Sequence, residues 1–228
     1  MGTRLPKKSE FMRTLGKTKA INKETSELSI VYDFSFEHHL NAPKRATGEH
    51  YFYHIHRAVM RLLLVFILLG IWNYKIVMIL LLHDVIEDAK KAGFDPELVR
   101  EKIEARFTAE IAFGTMQITK QGKEHSHDML ARLVKAFYIW SLIAKVFDRE
   151  DNLSTLHGME LHSQIRKLQE TEKYFVFIFN RLEAEIEIRV ECGALPPQWR
   201  KLVPLLRERQ EKLVEENWNR IFDFSAMQ

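Results

Sequence analysis

Residues 61–84 read RLLLVFILLGIWNYKIVMILLLHD, and the fold turns on whether this stretch lies in a membrane or in a core. Asn73 and Lys75 divide it into apolar runs of 11 and 7 residues, both short of the roughly 20 needed to cross a bilayer. The carboxylates that follow would also be costly in lipid. The reading is two buried helices joined near Asn73, with no membrane as a partner.

The second of these helices runs into LLLHDVIEDAKK, residues 80–91. Helical spacing over this segment predicts His83 beside Glu87, and Asp84 beside Glu87 and Asp88, because residues three and four apart share a face. That would be a polar stripe on a core-seeking helix, and it needs a partner. A second polar group stands in SLIAKVFDREDNLSTL, residues 141–156, where Asp148 and Asn152 share a face directly after a mostly apolar run.

Buried carboxylates repel one another and are costly without compensating charge. One divalent cation would reconcile His83, Asp84 and Asp148. A third segment, RATGEHYFYHIH at 45–56, supplies His54 or His56. Two histidines and two aspartates form a mixed nitrogen and oxygen set suited to Mn²⁺, Fe²⁺ or Zn²⁺, the oxygen share leaning toward Mn²⁺.

The rest of the chain is consistent with one all-α domain. Its 228 residues can bury a full core, and 46% hydrophobic with 29% charged residues is ordinary for a soluble globular protein. The single cysteine, Cys192, excludes a disulfide framework and a thiolate cluster and fits a reducing cytoplasm. The net charge of +3 is concentrated at the start, where residues 1–23 hold seven Lys/Arg against Glu10. The remainder is not a basic coat, so no nucleic acid is expected. Lacking an apolar core, the start is no secretory signal; a flexible basic segment over 1–25 is expected.

Periodicity and punctuation place helices near 26–40, 54–72, 75–91, 96–106, 107–119, 126–150, 159–191 and 198–220. Asp95 with Pro96, and Pro197 further on, are helix-start devices. Histidines 38, 39, 125, 127, 157 and 162 read as surface or capping residues. Trp199 and Trp218 read as anchors for the last helix, whose charged pattern is a solvated face by default and a homo-oligomer contact as the other option.

The order H…HD…D resembles the HD phosphohydrolase superfamily. The closer resemblance is to the hydrolase domain of the RelA/SpoT homologues, including stand-alone small alarmone hydrolases. That family's R-x-x-G-E-P-Y-x-x-H is matched by Arg45, Gly48, Glu49, Tyr51 and His54, and its HDxxED by HDVIED. FTAEIAFGTMQITK and KVFDREDNLST echo two further motifs, through Phe107, Glu110, Ala112, Thr119 and Lys120, and through Lys145, Asp148, Arg149, Asn152 and Thr155. HDxxED with both flanking motifs in register is a specific signal.

The resemblance implies an HD-domain helical bundle over 26–191 with an extra C-terminal helix at 192–228 packed on it. It implies His54, His83, Asp84 and Asp148 as metal ligands, Mn²⁺ as cofactor, and Glu87 and Asp88 as the catalytic pair that orients and deprotonates water. Arg45 would face the base, Arg149 would lie near the metal or phosphates, and Asn152 and Thr155 would contact the nucleoside. The implied activity is removal of the 3′-pyrophosphate of (p)ppGpp in the cytoplasm. The alternatives are the same chemistry on another nucleotide such as NADPH, or a catalytically weak nucleotide-binding or docking protein. Glu150 and Asp151 stand where Leu-His is common, and two added acids tilt the expectation slightly toward another nucleotide.

Overall fold

A computed structural model describes residues 5–121, 124–136 and 138–226, with side chains through Asp223. Among the described residues there are ten α-helices and no strand: α1 Lys8–Leu15, α2 Asn22–His39, α3 Phe52–Leu69, α4 Tyr74–Leu82, α5 Pro96–Arg106, α6 Ala109–Ile118, α7 Ser126–Lys135, α8 Ile139–Ser154, α9 Leu161–Glu191 and α10 Leu202–Ala226. The expected all-α architecture is the one observed.

α4 is the axis of the bundle. Ile76 through Leu82 are all buried, each contributing about 1.5–3 kcal/mol by leaving water, and α2, α3, α6 and α8 pack around them. The join between the two apolar helices is built from two local devices. Gly70 takes a left-handed conformation (φ 64°) that closes α3, and the Asn73 side chain accepts from the amides of Lys75 and Ile76 to start α4. By length and composition alone, α3 is long and apolar enough to cross a membrane. It instead packs on α1, α4 and α8 and carries Arg57 and Arg61 in ion pairs.

Three expectations need correction. The helix expected over 75–91 ends at Leu82, and His83 to Gly93 form successive turns. The carbonyls that would continue it are taken by side chains: His83 Nδ1 donates to Leu80 O (2.7 Å) and Ser35 Oγ to Leu81 O (2.5 Å). The Val85 amide then bonds only three residues back, to Leu82 (3.0 Å).

The helix expected over 126–150 is two helices. Tyr138 is extended (φ −98°, ψ 90°); its ring packs on Phe113 of α6 and its hydroxyl donates to Glu110 (3.0 Å). Phe137 lies outside the described residues.

The segment 1–25 was expected to be flexible, yet residues 8–15 are helical, with Phe11 and Leu15 fully buried and Phe11 stacked on Tyr32 at 4.8 Å. Two apolar side chains at i and i+4 give this basic helix a face to bury. Residues 1–4 lie outside the described part.

The C-terminal extension is docked. Trp199, in a short 3₁₀ turn Pro197–Lys201, is buried against Phe66 and Trp140 at ring distances of 6.0 and 5.7 Å. α10 then runs along α9 and α8.

Candidate metal centre

Three elements meet at one point. α3 brings His54 from its first turn, the end of α4 brings His83 and Asp84, and the middle of α8 brings Asp148. His54 Nε2 is 3.2 Å from His83 Nε2 and 3.1 Å from Asp148 Oδ1. His83 Nε2 is 3.0 Å from Asp84 Oδ2 and 3.5 Å from Asp148 Oδ1, and His54 Nε2 is 3.8 Å from Asp84 Oδ2. Donors about 2.1 Å from one ion would be about 3.0 Å apart at right angles and about 3.4 Å apart at the tetrahedral angle. The observed separations bracket those values.

The tautomers sharpen the fit. His54 Nδ1 lies 2.8 Å from Asp151 Oδ2 and His83 Nδ1 lies 2.7 Å from Leu80 O. Both partners are acceptors, so both Nδ1 atoms carry the proton and neutral rings would face each other with bare Nε2 lone pairs. Only positive charge between them makes that contact favourable. The pocket's electrostatics act the same way: although burial opposes a charged imidazole, Asp84 and Asp148 outweigh it and raise His83 well above its ordinary value. Burial likewise works against the Asp148 carboxylate, but Lys145 and the two histidines hold it well below the usual range. The residues present therefore fit a divalent ion.

Around these donors sits a ring of supporting groups. Tyr51 donates its hydroxyl to Asp84 Oδ2 (2.7 Å), while Lys145 Nζ and Asn152 Nδ2 donate to the two oxygens of Asp148 (2.6 and 2.7 Å). Asp151 is fully buried, and Arg57 bonds both its oxygens (2.9 and 3.0 Å) and both of those of Glu49 (2.6 and 2.7 Å). Burial would raise Asp151, but His54 and Arg57 bring it down to about 2. A histidine ligand ordinarily gives its second N–H to such a carboxylate, which fixes the ring. Arg57 and Tyr51 were assigned no role from the sequence, and Asp151 only that of an added acid; the signal in reach was that Asp151, three residues past Asp148, shares its helix face from the side opposite Asn152.

The remaining expected residues divide. Arg45 Nη2 bonds Asn152 Oδ1 (2.9 Å) and Thr155 Oγ1 (3.3 Å), so this expected substrate trio is assembled beside Asp148. The loop carrying Arg45 is pressed against the end of α8: a Cβ at Gly158 would lie 2.7 Å from the Thr47 side chain. Asp88 is buried and accepts from Lys91 Nζ (2.6 Å), whereas Glu87 is partly exposed and faces Lys120, accepting from its amide (3.3 Å).

Arg149 does not face the donors. It is buried against α9, with Nη1 donating to Lys167 O (3.4 Å), Nη2 3.8 Å from Glu170 and the guanidinium 5.2 Å from the Phe175 ring centre. Burial lowers its pKa. Expected near the metal shell or the phosphates, Arg149 is turned from the donors toward α9, because helical geometry puts residue 149 a hundred degrees from 148. His56 likewise points away, to Tyr32 Oη (3.0 Å) and Glu10 (3.7 Å), which leaves His54 as the α3 ligand candidate. His39, expected as a surface or capping residue, bonds Ser35 O at the end of α2 (2.8 Å) but is fully buried and stacked under Tyr51 at 5.4 Å, and burial lowers it to about 4.

No family model and no curated protein matches the chain. Among solved structures the chain is similar to one described as a metazoan orthologue of SpoT that hydrolyses ppGpp and plays a role in starvation responses. The superposition has a TM-score of 0.52 at 17% identity and covers 80% of this chain and 95% of that one. The fold is the HD-type helical bundle. At that identity the likeness shows the fold alone.

Proposed function

We propose that the protein is a metal-dependent phosphohydrolase that removes the 3′-pyrophosphate of (p)ppGpp, giving GDP or GTP and pyrophosphate. The observation that carries the reading is the convergence of His54, His83, Asp84 and Asp148 with both Nδ1 atoms committed to acceptors. These four would hold Mn²⁺, which when bound supplies Lewis acidity toward a phosphoryl oxygen and lowers the pKa of water. Asp84, the most exposed of the four, faces the open side of the centre.

The chain's own groups then have distinct work. Asp88, buried under Lys91, and Glu87, at the edge beside Lys120, orient the attacking water and take its proton. Arg45, Asn152 and Thr155 receive the nucleoside. Beside Glu87, a polar basin of about 380 Å³ is lined by Lys120, Arg166 and Lys167 together with Glu124 and Glu170. Lys167 is held at about 8, by burial first and by Arg149 next. The three cations of the basin outnumber its two carboxylates, which suits a polyanionic substrate.

Glu150 and Asp151 do not disfavour such a substrate. Both are buried, Asp151 under Arg57 and Glu150 under Arg61 and Arg209, so neither presents its charge to a ligand. The tilt toward another nucleotide that they gave in the sequence therefore lapses. The deciding experiment offers Mn²⁺-loaded protein ppGpp, pppGpp, NADPH and ordinary nucleotides. Release of pyrophosphate from ppGpp supports the reading. Hydrolysis of a different nucleotide alone would move the substrate and keep the chemistry, and turnover of none would leave a binding protein.

A further inference from the structure

The C-terminal helix reaches the metal centre through a line of charges in which the two carboxylates are buried and the two guanidiniums partly exposed. Glu150 is 3% exposed, and its Oε1 accepts from Arg209 Nε (3.0 Å) and, more closely, from Arg209 Nη2. Arg209 belongs to α10. The same oxygen lies 3.4 Å from Arg61 Nη1 on α3. Arg61 Nη2 donates to Ser154 Oγ (3.0 Å) and stands 3.7 Å from Asp151 Oδ1. Asp151 in turn accepts the His54 Nδ1 proton. One guanidinium, Arg61, is thus shared between two buried carboxylates, and Arg209 decides how strongly Glu150 draws on it.

We propose that Arg209 is a positioning residue for the metal centre: by neutralising Glu150 it leaves Arg61 with Asp151, and so steadies the ring orientation of His54 that turns Nε2 toward His83. This rests on reading the four donors as a metal site. The physical argument is one of shared compensation. Without Arg209, Glu150 keeps a single 3.4 Å partner, and a buried carboxylate left short of positive charge is the unfavourable outcome. Arg61 is flexible and within reach, so it closes on Glu150 and draws away from Asp151 and Ser154. Arg57 still holds both oxygens of Asp151, so the effect on His54 is graded rather than complete.

The test uses the full chain carrying Arg209→Met, Arg209→Lys, or Glu150→Gln together with Arg209→Met. Mn²⁺ affinity is measured by calorimetry without nucleotide, the ring ¹⁵N signals of His54 are recorded in metal-free protein, and thermal unfolding is followed in parallel. Arg209→Met is expected to weaken Mn²⁺ about 3- to 10-fold, less than the roughly 10- to 100-fold of a residue that bonds a ligand directly, and to shift the His54 signals. Arg209→Lys keeps the charge without the forked contact; it guards against simple loss of fold and is expected to fall between wild type and Arg209→Met. The double variant, having no buried charge to satisfy, should recover affinity to within about twofold of wild type even if its thermal stability stays low.

A purely structural role for Arg209 would leave the double variant as weak as the single, and that result overturns the proposal. So do wild-type affinity and unshifted His54 signals in Arg209→Met. Should wild-type protein bind no Mn²⁺, the functional reading falls by itself, and the His54 signals alone then decide: shifted in Arg209→Met and restored in the double variant they uphold the relay, unshifted they end it.

Discussion

His54 gives its Nδ1 proton to Asp151 across 2.8 Å, and Asp151 has no exposed surface through which water could take its place. Asp151→Asn keeps the shape but lets an amide N–H face the ring as readily as the carbonyl, so the tautomer is no longer fixed. Mn²⁺ affinity should fall about 10- to 100-fold with the helical content unchanged. A calorimetric titration that returns the wild-type dissociation constant would remove Asp151 from the support of the site.

Asp148 touches both histidines and is itself held by Lys145 and Asn152. Asp148→Ala should therefore empty the centre, since Asp84 cannot span it alone. Elemental analysis of the purified variant checks this, and stoichiometric metal in it is the result that sinks the ligand assignment.

Glu87 and Asp88 adjoin the donors without being among them, so Glu87→Gln and Asp88→Asn should keep metal and fold while turnover drops by about 10²-fold or more. Asp88 is the more buried of the two. Steady-state rates settle the roles separately: either variant turning over at the wild-type rate has been given work it does not do.

Arg45 bridges Asn152 and Thr155 with one nitrogen and lies over the Tyr51 ring at 6.0 Å, so a base would have to stack on the opposite face of its guanidinium. Lysine has neither the plane nor the fork. Arg45→Lys should raise KM for ppGpp with a smaller change in kcat, the pattern expected when binding is lost equally from ground and transition states. An unchanged KM would take Arg45 out of the base pocket.

Proton competition gives the centre a pH dependence. His83 is raised because, against burial, Asp84 and Asp148 favour its charged form; a metal ion has to displace that proton. Apparent Mn²⁺ affinity should therefore strengthen as pH rises through the raised value and weaken below it. Calorimetry at pH 7 in buffers of differing ionisation heat should detect proton release on binding. Heats independent of the buffer would contradict the assignment of His83.

By itself the sequence determined the helical class, the two apolar helices joined at Asn73, the Asp95 and Pro96 start of α5, and, through motif order, which four side chains meet. The first three are legible because capping and apolar periodicity are local rules; the four ligands, spread from residue 54 to 148, were legible only through the family resemblance. Tertiary structure decided the rest. The HDVIED segment is a set of turns because Ser35, 46 residues before Leu81, takes a carbonyl that a helix would have used. Glu150 and Asp151 look like charges offered to a ligand until Arg209, 59 residues beyond Glu150, and Arg57, 94 residues before Asp151, are found against them. Arg149 and Asp148 are chain neighbours with opposite fates, one turned to α9 and one to the metal centre. A charged side chain goes where its compensating charge is, and that partner is chosen by packing between helices far apart in the chain.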